Sequence, residues 1–195
     1  MAKNGIDRRV LHTKERLYDA LMELLREKSI DKITTTALCE KADINRNTFY
    51  SHYSSPRDLL NEVEENLTNR IIDSIDRINN NYTALLQDIC NIMYENADLI
   101  TVLYSPNSDA KYLQELISET HEYVLHKWTL ANPSLPESEL RFILNYCTGG
   151  TYCVIKAWID GGLVESPEYI SKRLEMCNLD MLGRVQRSTG FDYTL

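Results

Sequence analysis

Apolar residues recur along this chain at helical spacing, interrupted by short polar breaks, and the pattern predicts helices throughout. From about Arg8 to Lys28, Leu17, Leu21, Leu24 and Leu25 share one face with charges between them. A second, short helix follows Thr34, Thr35 or Thr36, each able to cap it, and buries Leu38 and Ala42. Asp43 falls in a tight turn that calls for a left-handed backbone, which Asp tolerates worse than Gly but better than most residues. Asn45 is a good N-cap for a third helix with two unlike sides. Arg46, Asn47, Thr48 and Tyr50 are offered outward, while Phe49 and Tyr53 point the other way as an aromatic anchor. Small hydrogen-bonding side chains at a helix start suit insertion into the major groove of double-stranded DNA.

Further along, Ser55 is placed to cap a fourth helix, with Pro56 at its first position and Asp58 reaching back as a capping-box carboxylate. Its stripe is Leu60, Val63, Leu67, Ile71, Ile75 and Ile78, ended by Asn79-Asn80-Asn81. Beyond it the pattern predicts helices over 82–95, 97–104, 109–131, 137–160 and from Ser166-Pro167 to about Val185, with breaks at Ser105-Pro106-Asn107, Asn132-Pro133 and Gly161-Gly162. The 109–131 helix turns Leu113, Leu116/Ile117, Tyr123/Val124 and Trp128 inward. The domain reading is a DNA-binding head over 1–54, a helical body over 55–187 and a flexible tail over 188–195.

The helix over 137–160 is apolar on two sides. Leu140, Leu144, Cys147, Thr151, Val154 and Trp158 form one stripe; Ile143, Gly149, Gly150, Cys153 and Ala157 form another. Such a helix must be covered twice, and two glycines in mid-helix point to a close neighbour. The last helix adds Ile170, Leu174, Cys177, Met181 and Val185. Pairing of these two helices with a twofold copy into a four-helix bundle is the expectation. Its surface would use Leu144, Cys147, Gly150, Thr151, Val154, Trp158, Ile170, Leu174, Cys177 and Met181. The opposing reading satisfies both stripes within one chain.

Composition adjusts this picture. The 195 residues are 43% hydrophobic with few Gly and Pro, and β-branched alternation is absent, so the class is all-α. The net charge of −8 is uneven: residues 1–58 hold eleven Lys/Arg against nine Asp/Glu, and the remainder ten against twenty. A mildly basic head on an acidic body would orient the molecule on a polyanion. Five scattered cysteines fit reduced thiols in a cytoplasmic protein rather than a disulfide framework. The first residues are charged throughout, unlike a secretion signal, and no run approaches the roughly 20 apolar residues of a membrane span.

Enzymatic chemistry finds little support. His121 and His126 are five apart and diverge by about 140° on a helix, unlike the four-residue spacing of a zinc motif. Cys147 and Cys153, six apart, likewise face different ways. No phosphate loop or nucleophile elbow is present, so no catalytic residue, metal or cofactor is assigned. Tyrosine is the compositional excess, twelve against three Phe. Met93, Tyr94, Tyr104, Tyr112, His121, Tyr123, Trp128, Tyr146 and Tyr152 are candidates to line a cavity for an amphipathic effector. The alternative is that these aromatics are core with hydroxyls at the surface and that a protein co-regulator takes the effector's place.

The stretch Ala42-Asp43-Ile44-Asn45-Arg46-Asn47-Thr48-Phe49-Tyr50-Ser51-His52-Tyr53, with Thr34-Thr35 before it and Ser55-Pro56-Arg57-Asp58-Leu59-Leu60 after it, resembles the TetR family of one-component transcriptional regulators. That family's turn usually reads Ala-Gly-Val-Ser-Arg-Gly-Thr-Phe-Tyr-x-His-Phe. The resemblance implies a homodimer with a three-helix helix-turn-helix head and a six-helix regulatory body, more often a repressor than an activator. It implies that Thr34, Thr35, Asn45, Thr48, Tyr50, His52 and Arg57 lie near the DNA backbone or bases, and that Arg46 and Asn47 reach base edges. Two departures stand out. Asp43 replaces the usual Gly, and Pro56 replaces a usual Lys, leaving Arg57 or the bare amides of that helix start to meet a phosphate.

Overall fold

The computed structural model describes residues 8–77, 82–105 and 110–192, and among them every regular element is a helix. They are α1 (Arg8–Glu27), a 3₁₀ turn (Ile30–Lys32), α2 (Thr35–Ala42), α3 (Arg46–Tyr50), α4 (Pro56–Arg77), α5 (Tyr82–Glu95), α6 (Ala97–Leu103), α7 (Ala110–Ala131), α8 (Glu137–Asp160) and α9 (Pro167–Thr189). The expectations for Ile78, Asn79, Asn80, Asn81, Pro106 and Asn107, and for the Leu113 side chain, lie outside the described residues.

Two compact units divide the chain: Met1–Asn66 with Val102–Ala110, and Leu67–Thr101 with Lys111–Leu195. In the first, the leucine stripe of α1 is buried and packs against α2, which in turn carries α3. The unit ends inside α4, at Asn66, rather than before it at residue 54. Leu59 and Leu60 are buried, and Glu62 accepts from Lys14 Nζ at 2.8 and 2.9 Å and from the Tyr53 hydroxyl at 3.3 Å, so the first turns of α4 pack as part of the head.

In the second unit α5 and α8 both pack on α9. Polar pairs fix the register: Ser171 Oγ donates to Gln87 Oε1 at 2.6 Å, and Asn178 Nδ2 donates to Thr151 Oγ1 at 3.1 Å. The expected flexible tail is ordered through Asp192. α9 runs to Thr189 and Gly190 takes the left-handed C-cap (φ 76°), a conformation that Gly adopts freely. Phe191 is then fully buried, edge-on to Trp128 at 5.0 Å. Asn132 holds this segment by both ends of its amide, accepting from Asp192 N–H at 2.6 Å and donating to Asp192 O at 2.7 Å.

Candidate nucleic-acid interface

Local chemistry fixes the helix-turn-helix. Of the three threonines, Thr34 is the N-cap of α2, its Oγ1 accepting from Ala37 N–H at 3.2 Å. Asp43 ends α2 in the left-handed region at φ 50°, ψ 47°. Asn45 caps α3, its Oδ1 accepting from Asn47 N–H at 2.8 Å. Phe49 is 0% exposed and Tyr53 is buried beside it, with ring centroids 5.8 Å apart. With its aromatic side so anchored, α3 leaves Asn45, Arg46, Asn47, Thr48 and Tyr50 exposed together. Ser55 accepts from Asp58 N–H at 3.2 Å, while the Asp58 carboxylate accepts from Ser54 N–H at 2.9 Å, one residue earlier than a capping box would have it.

The electrostatics of this face are partly internal. Arg46 lies over the Tyr50 ring, 6.0 Å from its centroid. Its hydrogen bond with the Tyr50 hydroxyl holds that phenol below the ordinary tyrosine range, and a bond to Thr35 acts the same way. Arg57 is paired with Asp31 at 3.2 Å, and His52 is half-buried against Tyr53. Asp43 Oδ2 accepts from Arg16 at 2.8 Å, so the carboxylate in the turn arrives already paired. Arg16 and Lys14 were not legible as members of this surface, because their partners are 27 and 48 residues away.

A cavity of about 130 Å³ lies within the second unit. Ile71 and Ile75 of α4, Leu85 and Leu86 of α5 and Leu144 of α8 give it apolar walls; Thr120, His121 and Trp128 of α7 and Thr148 and Thr151 of α8 add polar atoms. Only His121 and Trp128 of the nine expected pocket residues line it. Tyr94 stacks on Trp158 at 6.3 Å, Tyr112 meets Thr68 at 3.3 Å, and Tyr123 donates to Asp76. Met93 is core, Tyr104 and Tyr152 are half-buried, and Tyr146 is 64% exposed. No tyrosine is among the residues lining the cavity, and aliphatic side chains supply most of its walls. Burial pushes the Cys147 thiol up to about 12, as it does that of Cys90, so neither is a nucleophile near neutral pH. No cluster of metal-ligating side chains occurs among the described residues.

Residues 17–63 match the tetR family of bacterial regulatory proteins, and residues 80–178 match the TetR-type transcriptional regulator C-terminal region. The chain belongs to the TetR family of transcriptional regulators. Such proteins are transcription factors rather than enzymes, and they bind DNA operators as dimers. This TetR-family chain is 38% identical over 71 residues to the uncharacterized HTH-type transcriptional regulator YxbF of Bacillus subtilis (strain 168), covering 36% of this chain and 19% of that one. It is 33% identical over 61 residues to the uncharacterized HTH-type transcriptional regulator YvdT of the same strain, covering 31% of each. The chain thus spans under a third of the curated relatives it matches. Among solved structures, a TetR transcriptional regulator from Streptococcus agalactiae 2603V superposes with a TM-score of 0.63 at 25% identity, over 88% of this chain and 96% of that one.

For a TetR-family dimer the expected contact surface needs correction. Leu144, Cys147, Trp158, Ile170 and Leu174 are buried within the single chain, Leu144 and Cys147 against the cavity and Trp158 with its indole N–H donated to Glu165 O at 3.0 Å. Thr151 and Met181 are half-buried. Gly150, Val154 and Cys177 are exposed, together with Phe142 and Tyr146 on α8 and Met176 on α9. Beyond their own helix, a Cβ at Gly149 or Gly150 would find no atom of the described residues within 4 Å. The apolar stripe facing inward is therefore the Leu140–Leu144–Cys147 one, and the free stripe runs Phe142, Tyr146, Gly149/Gly150, Cys153. No helix among the described residues is long and apolar enough to cross a membrane.

Proposed function

We propose that this chain is a sequence-specific, DNA-binding transcriptional regulator that acts as a homodimer and releases or grips its operator in response to a small molecule in the second unit. The observation that carries it is the division of α3, with Phe49 fully buried and Arg46, Asn47, Thr48 and Tyr50 exposed on the opposite side. A helix held rigidly by its underside can present donors and acceptors to base edges, where Arg grips guanine and Asn grips adenine bidentately. Two such heads would read half-sites about 34–36 Å apart, one helical turn of DNA. The free stripe of α8, with Met176 and Cys177 of α9, is the surface we assign to the partner copy.

Control by a ligand is supported by α4, which supplies Ile71 and Ile75 to the cavity while its Glu62 is tied to Lys14 and Tyr53. α4 contributes residues to both units, and a ligand that binds one arrangement of its second-unit half better than another would shift the population of arrangements. Selection of duplexes from a randomised pool, followed by fluorescence anisotropy at several salt concentrations, tests the reading. A twofold-symmetric sequence bound with salt-sensitive affinity is expected. Absence of salt-sensitive binding to any duplex would overturn it.

A further inference from the structure

We propose that Gly190–Asp192, the segment after α9, is a strap that positions Trp128 as a wall of the second unit's cavity, and that seating or lifting of the strap sets how large a ligand the cavity admits. Phe191 is thereby a positioning residue of the cavity described above, and only its consequence at the operator rests on the effector reading.

Trp128 lines the cavity together with Val124, Leu144 and Cys147, and the same four residues belong to the apolar cluster that takes in Phe191. The Phe191 ring stands edge-on to the Trp128 indole, with centroids 5.0 Å apart and planes at 78°. Asn132, itself buried, ties the backbone of the strap to that of Trp128. Its Oδ1 accepts from the Asp192 N–H at 2.6 Å, and its Nδ2 donates to Asp192 O at 2.7 Å and to Trp128 O at 2.9 Å. Trp128 is thus joined to the strap twice, by its ring to Phe191 and by its carbonyl, through Asn132, to Asp192.

The strap is the part of this wall that can give. The lining residues lie inside α4, α5, α7 and α8, helices of 22, 14, 22 and 24 residues, and moving any of them shifts a whole hydrogen-bonded rod. The strap lies past the last turn of α9. Its hinge is Gly190 at φ 76°, ψ 13°, and glycine passes between that left-handed basin and others without a Cβ in the way. Segments beyond a helix end open at a smaller free energy than the helices they lie on. Burial of the Phe191 ring holds the strap down. When it lifts, the slot it leaves is the size of one ring, and the indole relaxes part of the way into that space at the expense of the wall it formed. A ligand too large for the seated cavity binds only the lifted state, so its apparent affinity is reduced by the small population of that state.

The test uses ¹⁵N-labelled full-length protein, whose two tryptophans give two indole resonances, that of Trp158 assigned through Trp158→Phe. Trp158 Nε1 donates to Glu165 O at 3.0 Å, whereas Trp128 Nε1 is buried without a hydrogen-bond partner among the described residues, so its hydrogen exchange follows the seating of the strap. Phe191→Ala and, separately, Asn132→Ala should speed exchange at Trp128 by at least about tenfold and leave Trp158 unchanged. Phe191→Leu, which refills most of the slot, should restore slow exchange. The uncharged fluorophore N-phenyl-1-naphthylamine should bind both alanine variants at least about tenfold more tightly than the unaltered protein, moving the Trp128 resonance and not that of Trp158. Asn132→Ala keeps Phe191 and every cavity-lining side chain, so its gain cannot come from a probe filling a vacated slot. In the unaltered protein, saturating probe should speed exchange of the Asp192 amide, whose bond to Asn132 lifting breaks; this decides if the variants do not fold. Equal acceleration at both indoles, unchanged exchange at Trp128 or unchanged probe affinity overturns the strap. Operator affinity is measured separately with saturating probe. Probe binding at Trp128 that leaves operator affinity unchanged overturns the effector reading and upholds the strap.

Discussion

Arg16 and Asp43 meet at 2.8 Å, joining α1 to the turn before α3 across 27 residues of sequence. A carboxylate in that turn would oppose phosphates, and the guanidinium that neutralises it is thereby withdrawn from them. Asp43→Gly should release Arg16 and remove the repulsion. Its φ of 50° suits Gly, and the lost ion pair is exposed and worth at most about 1 kcal/mol, so the fold should hold. Operator affinity should rise, and the log–log salt slope should steepen by about one unit. Anisotropy titrations across salt check this; an unchanged slope would show that Arg16 does not reach a phosphate.

Arg46→Ala should cost about 1–3 kcal/mol in operator binding and relax preference at a single base-pair position. Because the Tyr50 hydroxyl is hydrogen-bonded to Arg46, Tyr50→Phe should give a smaller loss at that same position. Randomised-operator selections with each variant are the measurement. A preference unchanged by Arg46→Ala would remove this residue from the base-reading set.

Phe49 supports α3 from beneath with no exposure at all. Phe49→Ala should destabilise the head by about 3–5 kcal/mol, through lost burial and the cavity left behind. Urea unfolding followed by circular dichroism reads this, and a loss below about 1 kcal/mol would show that α3 is held by other contacts.

What could be read from sequence was what short-range chemistry decides. Asn45, Ser55 and Ser166 act within three residues of themselves, and each caps the helix its position predicts. The leucines of α1 needed only periodicity. The cavity was another matter. Its walls come from four helices, and periodicity gives a helix an apolar face without naming the neighbour that covers it. On α8, apolar on two sides, Leu144, Cys147 and Gly150 were all expected on the partner surface; Leu144 and Cys147 are buried within the chain, as is Ile143 of the glycine stripe, while Gly149, Gly150 and Cys153 are exposed. Phe191 was illegible for the same reason. It is one aromatic after a glycine, and its burial depends on Trp128 and Asn132 some sixty residues earlier.

The Lys14–Glu62 pair ties α1 to α4, and the hydrogen bond to Glu62 raises the Lys14 pKa above its ordinary 10.5. A cation favoured in the folded state stabilises fully below its unfolded pKa, and the effect fades as pH climbs through the folded value. The melting temperatures of the unaltered protein and Lys14→Met should therefore differ at pH 7–9 and converge only as the pH rises beyond 10.5, the ordinary lysine value. The difference should be small, under about 1 kcal/mol, because both side chains are more than a third exposed. A gap that persists at high pH would assign the contribution of Lys14 to its aliphatic stem instead.

Gly150→Leu tests the partner surface with little risk to the protomer. Gly150 sits in mid-helix, where Leu has the better helical propensity by roughly 0.5–1 kcal/mol, and a Cβ there meets nothing among the described residues beyond its own helix. The single-chain fold should thus be unharmed or slightly firmer. In a bundle of α8 and α9 with their twofold copies, however, a glycine stripe is where backbones come closest, and a leucine would hold them apart. Light scattering should report a dimer for the unaltered protein and a monomer for Gly150→Leu, with equal helical content by circular dichroism. Operator affinity should fall with the dimer, since one head alone engages one half-site. A variant that remains dimeric would move the interface away from the Tyr146–Gly150–Cys153 stripe.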